Sequence, residues 1–288
     1  MKKVVSIERK PSAHWVGDGF PVRTVFSFDR MGYRISPFLL LDYAGPAEFG
    51  PSDRPRGVDE HPHRGFETVT IVYQGELEHR DSAGNHGKIG PGDVQWMTAG
   101  SGVVHEEKHS REFTRRGGTL EMVQLWVNLP AEFKMSPPAY QTILEPQIPT
   151  VALPGGAGTM RVIAGEFGGA KGPAQTFTPI NLWDLRLNAF SRAEMILPRG
   201  FTTAVFVLHG EVVLTDSERA REMDLALLTR EGDRLHINAR DNATLLVLNG
   251  AAIDEPVAAY GPFVMNRKTE ITQAIEDYHS GRLGRLAA

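Results

Sequence analysis

The stretch His63-Arg64-Gly65-Phe66-Glu67-Thr68-Val69-Thr70-Ile71-Val72-Tyr73-Gln74-Gly75-Glu76 has a degenerate copy later in the same chain. The copy is Pro198-Arg199-Gly200-Phe201-Thr202-Thr203-Ala204-Val205-Phe206-Val207-Leu208-His209-Gly210-Glu211. An Arg-Gly-Phe triplet, a Thr, a Val and a Gly-Glu turn coincide in the two segments. Further on, the Gly92-Asp93 turn has a counterpart in Gly232-Asp233. Internal similarity of this kind indicates a repeated structural unit, so the two halves are predicted to be two copies of one β domain.

The same stretch is typical of a β-strand. Residues 67–73 are rich in β-branched and aromatic side chains, and Gly75 ends the run. Further strands are predicted at residues 77–80, 94–98, 103–105 and 120–129, separated by turns rich in Gly, Pro, Asp and Asn. Short strands joined by tight turns favour antiparallel pairing in a sandwich or barrel. The fold is therefore predicted to be all-β.

Two domains are predicted, with a helix at the end of the chain. Residues 130–179 are rich in Pro and Gly, so we place the linker near residue 140 and the domains at residues 1–140 and 141–288. The expected helix starts with Thr269 as its N-cap and Glu270 in its first turn, and it stops at Gly281. Its apolar face comprises Ile271, Ala274, Ile275 and Tyr278.

Composition excludes several classes of function. The 288 residues include no cysteine, which removes disulfide scaffolds, thiolate zinc sites, iron–sulfur clusters and cysteine nucleophiles. A net charge of −4 argues against direct binding of nucleic acid, which needs a basic face. Residues 1–10 do not resemble a signal peptide, and the longest apolar stretch, at residues 37–41, is far below the ~20 residues that span a bilayer. A cytoplasmic protein with no membrane partner is expected.

Two pairs of residues have the spacing of metal ligands. In a strand, residues i and i+2 point to the same face, roughly 6.6 Å apart. His61 and His63 can therefore aim at one space, and His105 and Glu107 can reach it from a second strand. Nitrogen and carboxylate ligands without thiolate suit Fe(II), Mn, Ni, Cu or Zn. Glu67 shares the parity of His61 and His63 and is an alternative source of the carboxylate.

The other histidines are expected to be ordinary surface or hydrogen-bonded residues. They are His14, His79, His86, His109, His209, His236 and His279.

The internal repeat acts as a control on the metal hypothesis. Aligned at one offset, His61 lies over Ile196, His63 over Pro198 and Glu67 over Thr202. The segment matched to His105 and Glu107 is 242–247, which has neither His nor Glu. Because the second copy lacks every candidate ligand, one metal ion per chain is expected, in the first half.

These residues also carry a family resemblance. The segment from Gly57 to Thr70, with His61-Pro62-His63-Arg64-Gly65-Phe66-Glu67, resembles the first cupin motif. The segment Gly90-Pro91-Gly92-Asp93-Val94-Gln95-Trp96-Met97-Thr98-Ala99-Gly100-Ser101-Gly102-Val103-Val104-His105-Glu106-Glu107 resembles the second motif in the form typical of pirins. Residues 38–42 and 260–266 are also similar to pirins, so the resemblance covers nearly the whole chain.

The resemblance implies a bicupin, in which two cupin (jelly-roll) β-barrels lie face to face and a short helix ends the chain. It implies one mononuclear metal ion, usually iron, in the N-terminal barrel, with a degenerate C-terminal barrel that lacks ligands. Carried over residue by residue, the ligands are His61, His63, His105 and Glu107, which favours Glu107 over Glu67. Fe(II) is the expected ion, and Mn, Ni, Cu and Zn remain open.

The resemblance leaves the biological role open between two classes. Bacterial pirins resemble quercetin 2,3-dioxygenases, and the animal member is described as a nuclear co-regulator of transcription. The first hypothesis is a dioxygenase that opens a flavonol ring with O2 and releases carbon monoxide, with Glu107 as metal ligand and proton acceptor. The alternatives are a non-catalytic redox-sensing module that works through a protein partner, and a structural bicupin whose flavonol activity is incidental.

Overall fold

The computed structural model describes residues 1–9, 12–215 and 217–286. Its first strands are β1 (Val4–Glu8), β2 (Ala13–Val16), β3 (Phe20–Ser27), β4 (Phe38–Phe49), β5 (Gly57–His63), β6 (Phe66–Gln74), β7 (Leu77–Asp81), β8 (His86–Ile89), β9 (Val94–Thr98), β10 (Val103–His109), β11 (Gly118–Asn128), β12 (Ala139–Ile143) and β13 (Thr150–Ala152). The later strands are β14 (Gly158–Ala164), β15 (Glu166–Phe167), β16 (Ala170–Lys171), β17 (Ile180–Leu187), β18 (Arg192–Ile196), β19 (Thr202–His209), β20 (Glu211–Leu214), β21 (Glu218–Arg221), β22 (Leu225–Leu228), β23 (Arg234–Ala239), β24 (Ala243–Gly250), β25 (Ala258–Tyr260) and β26 (Phe263–Met265).

Helices are few. The α-helices are α1 (Phe28–Met31), α2 (Arg111–Arg116) and α3 (Lys268–His279), and short 3-10 turns lie at Gly32–Ile35, Ala131–Phe133, Glu145–Gln147 and Pro154–Gly156. The predicted all-β class is confirmed. Among the described residues, no helix combines the length and the apolar character needed to cross a membrane.

The chain forms two compact units that each take three segments of sequence. The first unit comprises Ser12–Thr24, Leu39–Glu145 and Ile253–Ala288, and the second comprises Met1–Pro11, Val25–Phe38 and Pro146–Ala252. The predicted domains, residues 1–140 and 141–288, placed the N-terminal end in the first half and the C-terminal end in the second. In the structure, Met1–Pro11 belongs to the second unit and Ile253–Ala288 belongs to the first. The N-terminal end crosses over because β1 pairs with β22 and packs Val4 and Ile7 on the core of the second unit.

The first unit consists of two main sheets with a core between them. The seven-stranded sheet has the order β12-β9-β6-β11-β4-β3-β2, and the four-stranded sheet has the order β5-β10-β7-β8. Side chains from both sheets meet in one cluster, with Val72 and Leu120 from the larger sheet and Leu77 and Ile89 from the smaller. The alternation of apolar residues along each strand places these side chains on the inner face.

The second unit repeats this arrangement strand for strand. Its seven-stranded sheet has the order β1-β22-β19-β24-β17-β14-β13, and its four-stranded sheet has the order β18-β23-β20-β21. The two sheet orders match position by position, so β5 corresponds to β18, β10 to β23, β7 to β20 and β11 to β24. The repeat predicted from residues 63–76 is therefore a repeat of the whole two-sheet unit.

The strand pairing corrects the sequence-based alignment of the ligand positions. Residues 243–247 lie in β24, which corresponds to β11 and not to β10. The counterpart of β10 in the sheet order is β23. Glu107 lies opposite His79, and Ile237 lies opposite the counterpart of His79, which is Leu214. The ladder between β5 and β10 and its counterpart between β18 and β23 extend this comparison. In the second unit, His61 is replaced by Met195, His63 by Leu197, His105 by Leu235 and Glu107 by Ile237.

The earlier alignment of His61 with Ile196 and of His63 with Pro198 is wrong by one residue. Leu197 is the equivalent of His63 and Arg199 is the equivalent of Arg64, so the second copy has one extra residue, Pro198, between them. The Arg-Gly-Phe triplet lies after this insertion, so an ungapped alignment through the triplet shifts the preceding strand. The match of Glu67 to Thr202, which lies beyond the insertion, agrees with the ladders.

Two further predictions need correction. The Pro- and Gly-rich stretch 130–179 contains strands β12 to β16, because its turns separate short strands rather than forming one long linker. Helix α3 begins at Lys268 with Arg267 as N-cap, not Thr269, and Glu270 accepts a hydrogen bond from the backbone N–H of Arg267 at 2.8 Å. It ends at His279 with Ser280 as C-cap.

The predicted apolar face of α3 packs on the first unit. Ile271 and Ala274 are buried in a cluster with Val104 of β10 and with Phe263 and Met265 of β26. The C-terminal segment therefore covers the four-stranded sheet of the first unit, which carries the candidate ligands.

Candidate metal centre

Three of the four predicted ligands come together on the inner face of the four-stranded sheet. Strands β5 and β10 are antiparallel neighbours, and His61 lies directly opposite His105. Their ring centroids are 4.3 Å apart, and His63 lies 4.9 Å from His61 and 5.0 Å from His105. One ligand atom from each of the three histidines lies within 4.8 Å of the others. The His-x-His spacing on β5 therefore does what strand alternation predicts.

Hydrogen bonds fix the orientation of two of the rings. His61 Nδ1 lies 2.8 Å from the carbonyl oxygen of Asp59, and His63 Nδ1 lies 3.4 Å from that of Pro262. Because a carbonyl oxygen only accepts, each Nδ1 must carry the proton, which leaves the Nε2 lone pair of both rings available. A second residue that orients a ligating histidine in this way is a regular feature of metal sites.

His105 provides the test of whether a metal ion fits. Its side chain is fully buried, and neither ring nitrogen has a hydrogen-bond partner among the described residues. An unpaired buried polar group is costly, and coordination of an ion would satisfy one nitrogen. Burial lowers the pKa of both His63 and His105 well below its usual range, and a neutral imidazole is the form that binds a metal. The trio therefore fits a metal ion.

Glu107 lies on the same strand and the same face as His105 but is held by other partners. Gln124 Nε2 donates to both of its carboxylate oxygens, at 3.2 and 3.1 Å, and Thr70 Oγ1 donates to Oε1 at 3.4 Å. A bulge interrupts the pairing of β10 with β5 between His105 and Glu107. The group of ligand atoms within 4.8 Å of one another contains the three histidines and not this carboxylate.

Glu67 does not face the three histidines. Phe66 packs edge-on against His63 at 5.1 Å, and Thr70 contacts Glu107, so even-numbered residues of β6 point to the site. Glu67 is on the opposite face, where Thr98 Oγ1 donates to it at 2.8 Å. The expectation that Glu67 shares the face of His61, two strand periods earlier, is wrong because the turn between β5 and β6 at Gly65 interrupts the alternation of side chains. Burial raises the pKa of Glu67 to about 7.

Sequence reasoning missed several residues around the centre. Gln124 and Thr70, which hold Glu107, are paired directly across β11 and β6, and alternation along residues 120–129 is the signal that would have placed Gln124 inside. Trp126, on the same face, packs against His63 at 5.3 Å. The carbonyl of Pro262 belongs to a segment that had been noted only for its family resemblance.

Two histidines expected to be ordinary are buried in the first unit. His109 is 2% exposed, and its Nε2 lies 3.0 Å from the carbonyl oxygen of Gly19, so it is a hydrogen-bonded core residue. His79 is 6% exposed, and neither of its ring nitrogens has a partner among the described residues. The expectation for His79 is therefore wrong.

The comparisons with known proteins agree with this architecture. The Pirin family model matches residues 19–127, and the Pirin C-terminal cupin domain model matches residues 182–284. A Pseudomonas aeruginosa protein named "Putative quercetin 2,3-dioxygenase" is 58% identical over 282 residues, or 98% of each chain. Human Pirin is 36% identical over 87% of this chain and 83% of its own. The crystal structure of quercetin 2,3-dioxygenase from Acinetobacter baumannii matches with a TM-score of 0.97 and 52% identity over 100% of both chains.

Two cupin domains in one chain, with a histidine cluster suited to a metal ion in the first unit, define the protein as a bicupin. Within that class, the chain belongs to the pirin family.

Proposed function

We propose that the protein is a metal-dependent dioxygenase that opens the ring of a flavonol with O2 and releases carbon monoxide. The observation that carries the proposal is the buried, unpartnered imidazole of His105, whose ligand atom lies within 4.8 Å of those of His61 and His63. The names of the relatives at 58% and 52% identity support the choice of quercetin as the substrate to test.

The proposed ligands are His61, His63, His105 and Glu107, which hold one divalent ion per chain. Strand alternation supports Glu107 over Glu67, because Glu107 shares the inner face of β10 with His105. Three imidazoles and one carboxylate suit Fe(II), and Mn, Ni, Cu or Zn are compatible with the same donors. When bound, the ion supplies Lewis-acid binding of substrate oxygen atoms and a route for electrons to O2.

The residues of the chain bind the substrate and move its proton. Glu107 accepts the proton of the flavonol 3-hydroxyl, which leaves the 3-oxygen and the 4-carbonyl as a chelating pair. Gln124 donates to both carboxylate oxygens and holds Glu107 in place for this role. General-base assistance of this kind is worth about 10²–10⁴-fold in rate. Phe66 and Trp126, packed against His63, keep water from that side of the site.

The test is O2 uptake and carbon monoxide release by the metal-loaded protein with quercetin. We expect equimolar consumption of O2 and release of carbon monoxide, and no turnover of the flavone that lacks the 3-hydroxyl. A fully metallated protein that consumes no O2 above buffer with quercetin or related flavonols would overturn the proposal. The non-catalytic, partner-binding module would then become the leading hypothesis.

A further inference from the structure

The carbonyl that orients His63 comes from the C-terminal segment of the chain. Pro262 lies in the turn between β25 and β26, 199 residues after His63. Its oxygen accepts from His63 Nδ1 and from the backbone N–H of Arg64, each at 3.4 Å. Both distances are near the upper limit for a hydrogen bond, so a shift of this carbonyl by a few tenths of an ångström would break both bonds. The orientation of a candidate ligand therefore depends on how firmly a distant segment is held.

The side chain of Arg64 makes the first of two attachments to that segment. Only 6% of this side chain is exposed. Its Nε donates to the carbonyl oxygen of Ser101 at 2.7 Å, and its Nη1 donates to Asp277 Oδ2 of α3 at 2.8 Å. The backbone N–H of Val264 donates to the carbonyl oxygen of Arg64 at 3.0 Å. One residue therefore ties both α3 and β26 to the end of β5.

Lys134 makes the second attachment. Its side chain is buried, and Nζ donates to the carbonyl oxygens of Gly65 and Val264, at 2.8 and 3.0 Å, and to Asn128 Oδ1 at 2.7 Å. These acceptors use all three donors of the ammonium group, and hydrogen bonds from a charged donor are stronger than those between neutral groups. A second buried cation therefore joins β26 to the turn between β5 and β6.

The carboxylate of Asp277 is itself fixed on α3. Gln273 Nε2 and Arg282 Nε donate to its Oδ1 at 2.8 and 2.6 Å. Its other oxygen, Oδ2, accepts from Arg64. The ion pair is therefore held at both ends, by Ser101 on the side of the guanidinium and by α3 on the side of the carboxylate.

Apolar packing alone would not place the carbonyl of Pro262. Ile271 and Ala274 of α3 pack in a cluster with Phe263 and Met265 of β26, and this burial stabilises the docked segment. The hydrophobic effect is non-directional, whereas the two long hydrogen bonds of Pro262 need a defined position of one oxygen atom. Directional bonds from Arg64 supply that position.

The second unit provides an internal comparison. Arg199 is the equivalent of Arg64, but its side chain is 77% exposed and pairs with Asp233, with Nη2 3.1 Å from Oδ2. Leu197 takes the place of His63, so this position has no imidazole to orient. The arginine is buried and attached to the C-terminal segment in the unit that has the candidate ligands.

We propose that Arg64 and Asp277 are positioning residues of the metal centre. Their ion pair holds the C-terminal segment so that the Pro262 carbonyl keeps the proton of His63 on Nδ1 and leaves Nε2 available to the ion. This inference rests on the proposed function, because it takes His63 as a metal ligand. It makes α3, which contributes no ligand of its own, part of what determines metal binding.

The experiment compares the equivalent arginines of the two units. Wild type, Arg64→Gln, Asp277→Asn and Arg199→Gln are stripped of metal and checked for folding by circular dichroism. Each is then titrated anaerobically with Fe(II) in competition with a chelator. The electron paramagnetic resonance spectrum of each protein loaded with Cu(II) reports the ligands and geometry of the bound ion. Arg199→Gln is the matched control, because it makes the same change at the equivalent position of the second unit.

We expect Arg64→Gln to raise the Kd for Fe(II) about 10- to 100-fold, the usual cost of losing a residue that orients a ligating histidine. Asp277→Asn retains an acceptor and should raise it about 3- to 10-fold, the effect of weakening one charge-assisted hydrogen bond. Both should change the Cu(II) spectrum, because the ring of His63 turns. A change that only loosened packing would lower stability and leave the spectrum of the metal-bound protein as it is. Arg199→Gln should match wild type in Kd and spectrum.

The outcomes separate this inference from the proposed function. If the folded Arg64→Gln and Asp277→Asn variants give the wild-type spectrum, whatever their Kd, the positioning role is rejected. It is also rejected if neither variant folds without metal, since the two residues then serve the fold; if only Asp277→Asn folds, its Kd and spectrum decide. If wild type binds one ion per chain but consumes no O2 with quercetin, the proposed dioxygenase activity is rejected, and the spectra still decide the positioning role. A wild type that binds no ion rejects both.

Discussion

The first and second units have the same strand order, but at equivalent inward-facing positions the first has polar side chains and the second has apolar ones. At the positions of His61, His63, His105 and Glu107, the ladders place apolar residues in the second unit, and Leu214 takes the place of His79. All five of these second-unit residues are buried in the core, namely Met195, Leu197, Leu214, Leu235 and Ile237. Strand pairing and turns are therefore enough to build the two-sheet unit, and its interior can be either a hydrocarbon core or a cluster of polar ligands.

The difference has an energetic meaning. The second unit is stabilised by apolar burial in its interior, at roughly 25 cal/mol per Å² of surface removed from water. The first unit buries imidazoles that find no partner among the described residues, at about 1–3 kcal/mol for each unsatisfied group. The first unit should therefore depend on a bound ion for part of its stability, and the second should not.

The largest expected effect comes from removing the central ligand. In His105→Ala, only His61, His63 and the proposed ligand Glu107 are left to hold the ion, so we expect metal content, measured by elemental analysis, to fall from about one ion per chain to less than about one tenth. O2 uptake with quercetin should then be undetectable. His236→Ala, on the matching strand β23, is the control and should retain both. Full metal content in His105→Ala would contradict the assignment of the centre.

The next effect sharpens the choice of carboxylate. Glu107→Gln should lower metal content and reduce the rate of flavonol turnover by about 10²–10⁴-fold, because a general base is lost. Glu67→Gln should leave metal content unchanged, since Glu67 points to the opposite face of β6. Elemental analysis and O2 uptake on the two variants give the answer. A metal-free Glu67→Gln together with a metal-replete Glu107→Gln would reverse the assignment.

Removal of the ion should affect one unit only. At a free metal concentration of 1,000 times Kd, binding stabilises the native state by about 4 kcal/mol, and this stabilisation should be lost on chelation. Hydrogen exchange should therefore become faster for backbone amides in β5 and β10. Amides in the matching strands β18 and β23 should exchange at the same rate with and without chelator. Equal acceleration in both pairs of strands would show that the ion does not act on the first unit alone.

The sequence was sufficient to predict the all-β class, the repeat and the His61–His63–His105 cluster, because each depends on a local period or motif. It was not sufficient for the assignment of both termini, which depends on long-range pairing such as that of β1 with β22. The one-residue slip at Pro198 is invisible until the ladders are known. The imidazole of His79 has room because Gly87 lacks a side chain, since a Cβ there would lie 2.5 Å from His79 Nε2, and a glycine gives no sequence signal of such a contact.

The smallest expected effect concerns pH and again distinguishes the two units. Thr202 occupies the position of Glu67 in the second unit and is neutral at every pH of interest. Burial raises the pKa of Glu67 from its usual 4.5 to about 7 in the folded protein, so the folded state binds a proton more tightly than the unfolded state. The stabilisation is fully present below about pH 4.5 and is lost as pH rises through 7.

We expect wild type to lose about 1–3 kcal/mol of unfolding free energy between pH 5 and pH 8 from this group, measured by denaturant titration of the first-unit transition. Glu67→Gln, which is uncharged throughout, should remove that part of the slope, whereas Thr202→Ser should retain it. An identical pH dependence in wild type and Glu67→Gln would show that Glu67 is ionised at its ordinary pKa, and that the contrast between the two units at this position is one of shape and not of charge.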